Sequence, residues 1–148
     1  MANEDRVLEL YQGKIDSQRS QTLCRERVHW LCTHAGGPRV LDIGCSQGIC
    51  AVILAREGRT VLGIDIEEGG IRAAREFLAG EPPHVQAHVR FEVADAFRVE
   101  LAPASFDSII LGEVIEHLAS PEVLLDRVAE WLTPGGRVVV STPLGYMP

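Results

Sequence analysis

The sequence predicts an α/β fold, a doubly wound parallel sheet within a single domain. From Arg39 onwards, short runs rich in β-branched residues alternate with stretches of helical spacing, which is the pattern of successive β-α units. The run FDSIILGEV at 106–114 is apolar enough for a strand buried on both faces. Because crossovers between parallel strands are right-handed, we expect a ligand crevice at the carboxyl ends of the strands.

Each element follows from a local pattern. Residues from about 17 to 34 contain no Pro or Gly, and they place Leu23, Arg27, Trp30 and Leu31 at helical spacing, which predicts a leading helix. The further predicted elements are strand 39–44, helix 49–57, strand 60–66, helix 68–79, a loop around 80–84, strand 89–95, strand 106–114, a helix from 121 to about 132, and strand 137–143. Ser120 is placed to cap the helix that Pro121 begins.

The composition indicates a soluble globular protein. Hydrophobic residues make up 46% of the 148 residues and charged residues 24%, which excludes a disordered, collagen-like or membrane-embedded chain. A net charge of -7 makes a nucleic-acid partner unfavourable. The four cysteines form no CxxC pair, and the sequence shows no export or anchoring signal, so we expect reduced thiols in a cytoplasmic protein that has no membrane partner.

The most informative segment is VLDIGCSQG at 40–48, a strand that runs into a glycine-flanked turn and opens a helix. Gly44 and Gly48 allow the backbone to approach a ligand closely, and the helix start offers free N–H groups to a carboxylate or phosphate. Three classes of protein use a similar turn. The GxGxxG spacing of dinucleotide-binding folds is not matched here.

A second class is the hydrolases with a GxSxG nucleophile elbow. Gly44, Ser46 and Gly48 match this motif, and Asp107 and His117 follow in the chain order of triad partners. In such hydrolases, however, several strands precede the elbow, whereas this turn follows the first strand and one helix. The position of the turn therefore disfavours this class.

The third class fits best. Residues 42–48 are similar to the [DE]xGxGxG motif of class I S-adenosylmethionine (SAM) dependent methyltransferases, with Ser46 in place of the central glycine. Acids close the next two predicted strands: Asp65 follows the turn by about 20 residues, and Asp95 ends the third strand. Each acid alone could instead cap a helix.

Two later segments extend the resemblance. EVIEHL at 113–118 looks like the segment after strand four of many small-molecule methyltransferases, and LTPGGRV at 132–138 resembles their approach to strand five. The resemblance covers about 40–142. It implies a three-layer, Rossmann-like sheet with strand order 3-2-1-4-5 and SAM as cofactor.

The resemblance also implies residue roles. Asp65 would accept hydrogen bonds from both ribose hydroxyls, and Asp95 would meet the adenine amino group. The implied cofactor-binding residues are Asp42, Gly44, Cys45, Ser46, Gly48, Asp65, Ile66, Asp95, Ala96 and Gly112. We expect no metal ion in this interpretation.

The expected reaction is methyl transfer by in-line displacement to a small molecule, a sugar or another hydroxyl-bearing acceptor. The candidate catalytic residues are Glu113 and His117. His117 would act as general base, because imidazole accepts protons near neutral pH. The alternative for His117 is that it packs beneath the cofactor or caps a turn.

Two other functions remain open. Glu113, Glu116 and His117 match the ExxEH segment that supplies three metal ligands in small-RNA 3′-terminal 2′-O-methyltransferases, although this sequence has no later histidine for the fourth ligand. The chain could also be a non-catalytic SAM-binding module of a larger enzyme.

The expected division of the chain is an N-terminal helical lid segment at 1–37 and a SAM-binding core at 38–148. Methyltransferases of this type close the sheet with a sixth and a seventh strand, which have no counterpart after residue 143. We therefore expect a truncated domain whose fifth strand is an open edge, covered by a homodimer partner or by a further domain.

Overall fold

The structure is a computed structural model that describes residues 5–143. Its centre is a five-stranded sheet in the order β3-β2-β1-β4-β5, and every pair of neighbouring strands is parallel. The strands are β1 (Arg39–Ile43), β2 (Thr60–Asp65), β3 (Val89–Val93), β4 (Phe106–Gly112) and β5 (Leu132–Ser141). The predicted fold class and strand order are confirmed. Residues 144–148, which belong to the expected core, lie outside the described part.

Six α-helices lie between residues 5 and 143. They are α1 (Val7–Tyr11), α2 (Gln18–His34), α3 (Ile49–Arg56), α4 (Glu68–Ala79), α5 (Pro83–Gln86) and α6 (Pro121–Trp131). Neither α1 nor α5 is among the elements predicted from the sequence, and α5 occupies part of the expected loop at 80–84. Proline suits the first turn of α5 because a helix leaves its first N–H groups without partners. Across the described residues, no helix has the length and apolar character needed to span a membrane.

Two apolar clusters cover the two faces of the sheet. Along β1 the side chains alternate, so Val40 belongs to the cluster beneath α2 and α3, whereas Leu41 and Ile43 belong to the cluster beneath α6. The middle of β4, residues 108–111, is buried throughout, as expected for a central parallel strand. This burial fixes the carboxyl ends of β1, β2 and β4 relative to one another.

The leading helix α2 is confirmed, and of the four residues at helical spacing only Leu31 is buried. The buried residues are Cys24, Val28, Leu31 and Cys32. Leu23 is 56% exposed and Trp30 is 48% exposed, and Trp30 stacks on His34 with ring centroids 4.2 Å apart. Two small cysteine side chains, with Val28 and Leu31, therefore form the face of α2 that packs on the sheet.

The two ends of α6 also differ in detail from the prediction. Ser120 does precede Pro121 at the helix start, but its side chain makes no capping hydrogen bond. At the other end, β5 begins at Leu132, directly after the helix and five residues before the predicted start. The TPGG segment lies within an irregularity of the β4-β5 ladder, whose register shifts between Phe106 and Ser108.

Candidate active site

A cavity of about 690 Å³ opens at the carboxyl ends of β1, β2 and β4. This is the edge at which doubly wound sheets bind ligands. The glycine-flanked turn after β1, the acids of β1 and β2, the segment after β4, and α2 line the cavity. It therefore brings together residues that are widely separated in the sequence.

Two glycines shape the turn after β1. Gly44 has φ +69°, and a Cβ there would lie 2.6 Å from Val114 Cγ2. Gly48 has φ +80°, and a Cβ there would lie 2.5 Å from Phe91 Cζ. Positive φ and lack of space both exclude larger residues, so the turn needs glycine at these two positions. Ser46, between them, also has a left-handed φ of 51°.

Two carboxyl groups lie at the base of the cavity. Asp65 is held by main-chain donors: its Oδ2 accepts from the Ser46 N–H at 2.8 Å, and its Oδ1 accepts from the Glu67 N–H at 2.9 Å. Asp42 is only 4% exposed. Burial, with a further contribution from the charge of Asp65, raises the pKa of Asp42 to about 7.

A second, smaller cavity of about 320 Å³ adjoins the first and shares Gly44 and Asp65 with it. Most of its lining is apolar, including Ile64, Ile66, Ala96, Phe97 and Leu118. Asp95 adds a carboxylate at its edge, where Oδ1 also accepts from the Phe97 N–H at 2.9 Å. The combined site is an apolar slot joined to a polar chamber.

Arg27, on α2, is the one lysine or arginine among the described residues that line the larger cavity. It forms an ion pair with Glu113. Glu113 has a left-handed φ of 55°, and its N–H donates to the Ser141 carbonyl at 2.8 Å. In the sequence, Arg27 is notable only for its helical spacing, because no local motif links a residue of α2 to the end of β4.

His117 lies in a 3₁₀ turn, Ile115–His117, at the rim of the larger cavity. Its side chain is 77% exposed, and Nε2 lies 3.7 Å from Glu116 Oε1. Glu113 lines the same cavity but is engaged by Arg27. In the part of the chain described, no three His, Cys, Asp or Glu side chains are grouped to hold a metal ion, so the ExxEH segment forms no ligand cluster there.

The hydrolase alternative is excluded by position. Asp107 lies at the amino end of β4, where its Oδ2 accepts from the Arg39 N–H at 3.0 Å. Ser46 and His117 lie at the carboxyl end of the sheet, and the Ser46 hydroxyl donates to Asp5. A Ser-His-Asp triad therefore does not form.

All of the predicted cofactor-binding residues except Gly48 line one of the two cavities. Gly48 contributes through the turn instead. Cys45 is buried, and burial raises the pKa of its thiol far above its usual range, which leaves it protonated and unreactive. Gly112 leaves space for Leu31, whose Cδ1 would lie 3.0 Å from a Cβ at that position.

The N-terminal segment, Asp5–Tyr11, lies against the turn. Asp5 and Val7 line the larger cavity. The side chain of Gln47 bonds to this segment at two points: Oε1 accepts from the Leu8 N–H at 2.7 Å, and Nε2 donates to Glu9 Oε2 at 3.2 Å. This segment belongs to the expected N-terminal lid at 1–37, although the sequence pattern singles out none of its residues as part of the site.

Residues 41–140 match the family model described as "Methyltransferase domain". The chain belongs to this methyltransferase family. It is 40% identical over 106 residues to a ubiquinone biosynthesis O-methyltransferase of Xylella fastidiosa, a match that covers 72% of this chain and 42% of that protein. The methyltransferase domain thus spans about two fifths of the length of this curated relative.

Two solved structures resemble the methyltransferase domain in sequence as well as fold. An S-adenosylmethionine dependent methyltransferase from Mesorhizobium loti is 28% identical with a TM-score of 0.66, over 79% of this chain and 52% of that one. A Haemonchus contortus N-methyltransferase was solved with phosphomonomethylethanolamine and S-adenosylhomocysteine. It is 30% identical with a TM-score of 0.70, over 80% of this chain and 28% of that one.

SAM is the cofactor of this methyltransferase family, and the site has groups that suit each part of it. The apolar slot suits a purine, and the neighbouring carboxylates suit hydroxyl and ammonium donors. The Arg27 guanidinium offers a planar fork of donors for a carboxylate. The turn bounded by Gly44 and Gly48 lets the main chain approach a ligand without obstruction by a side chain.

Proposed function

We propose that this methyltransferase domain transfers the SAM methyl group to a hydroxyl oxygen of a small molecule. The observation that carries the proposal is the pair of joined cavities, in which a slot for a nucleoside meets a polar chamber that His117 borders. The O-methyltransferase name of the Xylella relative supports oxygen as the methylated atom.

Each part of the cofactor would have a partner in this arrangement. The purine would occupy the slot with its amino group at Asp95, and the ribose hydroxyls would meet Asp65. Although both Asp65 oxygens already accept main-chain N–H bonds, each keeps a further lone pair for a hydroxyl. The methionyl carboxylate would lie at Arg27, and the ammonium group near Asp42.

The bound cofactor supplies a methyl group made electrophilic by the adjacent sulfonium. The protein's part is to align an acceptor hydroxyl with that methyl and to exclude water. His117 would take the hydroxyl proton at Nε2 as the acceptor oxygen bonds to the methyl carbon and the carbon–sulfur bond breaks, which leaves a neutral thioether. It would then release the proton to solvent, to which its side chain is 77% exposed. Glu116, at 3.7 Å, would stabilise the protonated ring.

Glu113 has a different role in this proposal. Its carboxylate is paired with Arg27, so it is not a free base within the described structure. We assign it to the positioning of the guanidinium at the cavity wall. The N-terminal residues up to 37 would act as the cover of the site, because Asp5 and Val7 already lie against the cavity.

Calorimetric titration with SAM and, in parallel, with NAD tests the cofactor assignment. We expect SAM to bind with a dissociation constant near micromolar, about -8 kcal/mol, and NAD to show no binding. Asp65→Asn should weaken SAM binding by about tenfold or more, because a ribose hydroxyl loses an ionised acceptor. Glu68→Gln, at an exposed carboxylate of α4, is the matched control and should bind as the wild type does.

Transfer of labelled methyl to catechols, sugars and amines tests the reaction. Methylated hydroxyls would support the proposal, and methylation confined to amines would contradict it. His117→Asn should lower kcat by about 10² to 10⁴ with little change in SAM affinity, as expected for loss of a general base. His84→Asn, on α5 and away from the cavities, should leave kcat unchanged.

A further inference from the structure

Arg127 lies on α6 and lines neither cavity, yet its guanidinium reaches the loop that follows β3. Nε donates to the Ala96 carbonyl at 3.0 Å, and Nη2 donates to the Val99 carbonyl. The planar group lies over the Trp131 ring, with Cζ 5.0 Å from the ring centroid. Its two hydrogen bonds therefore go to main-chain carbonyls and not to a carboxylate.

The loop that Arg127 holds forms one wall of the apolar slot. Asp95, Ala96 and Phe97 all line that slot. Bonds within the loop shape it locally, because the Asp95 carbonyl accepts from the N–H groups of Arg98 at 2.9 Å and Val99 at 2.8 Å. Such local bonds do not set the distance between the loop and the helices that flank the sheet.

Hydrogen bonds to two neighbouring elements also hold the loop, in addition to the apolar cluster that it shares with α6. The Ala94 N–H donates to the Asp65 carbonyl at 2.9 Å and ties the start of the loop to β2. Arg127 ties the loop to α6 at two carbonyls three residues apart. A guanidinium can serve both because its donors are fixed in one plane, whereas a lysine ammonium would serve them as a single point.

We propose that Arg127 is a positioning residue for the purine end of the cofactor. It fixes the wall formed by residues 95–97, so that the Asp95 carboxylate meets the amino group of adenine and the domain selects an adenine base. The inference rests on the proposed function, in which the purine occupies this slot. Arg127 itself touches neither the cofactor nor the acceptor.

The test compares two ligands whose bases differ in the C6 substituent and in whether N1 carries a hydrogen. S-adenosylhomocysteine carries an amino group at C6, whereas S-inosylhomocysteine carries a carbonyl oxygen, which would face the Asp95 carboxylate unfavourably. Calorimetry with both ligands gives a base preference, the ratio of the two dissociation constants. We expect the wild type to prefer the adenine ligand by about tenfold or more, which corresponds to one lost hydrogen bond.

Arg127→Lys keeps the charge and most of the side-chain stem but loses the fork of donors. We expect its base preference to fall by about fivefold or more, mainly because the adenine ligand binds more weakly. Arg59→Lys is the matched control: Arg59 also donates to a main-chain carbonyl, that of Ala35, but it precedes β2 at the opposite end of the sheet. It should lower thermal stability at most and retain the wild-type base preference.

The outcomes separate this inference from the function on which it rests. A wild type that binds neither ligand, or that binds both equally, would contradict the placement of adenine and the inference with it. A wild type that prefers adenine, together with an Arg127→Lys variant of unchanged preference, would overturn the inference alone. If Arg127→Lys bound both ligands more weakly by the same factor, the inference would also be overturned. Such a result would show a general loss of structure without a change in base preference.

Discussion

Asp42 and Asp65 lie on the same face of the sheet at the ends of neighbouring parallel strands, and the charge of one disfavours ionisation of the other. The register pairs Asp42 with Gly63, which places Asp65 two residues further along that face. Burial and the charge of Asp65 together raise the pKa of Asp42 to about 7. The base of the cavity therefore holds a buried group that titrates near neutral pH.

The first prediction concerns stability and pH. Folding raises the pKa of Asp42 from 3.8 to about 7. Between pH 3.8 and pH 7 the Asp42 carboxyl therefore carries a proton in the folded protein but not in the unfolded chain. Stability from this group is therefore greatest below pH 3.8 and is lost as pH rises towards 7. Asn does not titrate, so the Asp42→Asn variant does not lose this stability as pH rises. Its free energy of unfolding relative to that of the wild type should therefore increase by about 2 to 3 kcal/mol from pH 5 to pH 8. Urea unfolding at both pH values measures the difference.

SAM provides an independent check on the same group. SAM carries a net positive charge, so it should bind the ionised form of Asp42 more tightly, and its affinity for the wild type should rise between pH 6 and pH 8. Asp42→Asn should remove that rise, whereas Asp126→Asn, at an exposed position of α6, should keep it. An Asp42→Asn variant with the wild-type pH dependence would assign the titration to another group.

The second prediction concerns Arg27 and the cofactor carboxylate. Arg27→Met should raise the dissociation constant of SAM by about tenfold or more, because a charge-assisted hydrogen bond to the cofactor carboxylate is lost. Decarboxylated SAM has no group for the guanidinium, so the substitution should not weaken its binding. Arg19→Met, at an exposed position of the same helix, is the control for a change of net charge. Equal weakening of both ligands would show that Arg27 acts on the shape of the cavity and not on the carboxylate.

The sheet and the glycine turn could be predicted because their signals are local. Residues 40–48 contain a strand, a turn and a helix start within nine positions, and the acids at 65 and 95 follow strands whose apolar runs are readable directly. The carboxyl ends of parallel strands meet at one edge, so the site follows from the order of the elements. These were the parts of the prediction that needed no knowledge of side-chain packing.

The remaining parts of the site depend on tertiary contacts. Arg27 is 86 residues from its partner Glu113, and Arg127 is 31 residues from the Ala96 carbonyl that it holds. No spacing rule connects such pairs. Similarly, α1 has five residues, too few for a stable isolated helix, and its docking on Gln47 could not be read from its own sequence.

The third prediction tests the close packing at Gly48. Gly48→Ala would place a Cβ 2.5 Å from Phe91 Cζ and 2.9 Å from the Ala74 Cβ, at a φ of +80°. Gly58→Ala carries the same backbone penalty at φ +84° but has nothing within 4 Å. The difference between the two variants in free energy of unfolding therefore isolates the cost of the steric overlap, which we expect to be about 1 to 3 kcal/mol. Chemical unfolding measures both, and equal losses would show that Phe91 moves aside without cost.

The fourth prediction concerns the contact between Gln47 and the N-terminal segment. Gln47 is 7% exposed, and its amide supplies an acceptor for the Leu8 N–H in the first turn of α1. Gln47→Leu keeps an apolar group of similar size but removes the bonds to Leu8 and Glu9. Because α1 is too short to persist alone, amides 7–12 should exchange about tenfold faster or more, as measured by hydrogen exchange.

The same variant tests whether this segment covers the cofactor. If residues 5–11 act as a cover, their release in Gln47→Leu should speed SAM dissociation measured by stopped flow, because the ligand then leaves through a more open mouth. Gln86→Leu loses two side-chain bonds to main-chain carbonyls near α5. It controls for the replacement of a hydrogen-bonded glutamine by leucine and should leave dissociation unchanged. Faster exchange of amides 7–12 with unaltered SAM dissociation would show that the segment docks on the turn without covering the ligand.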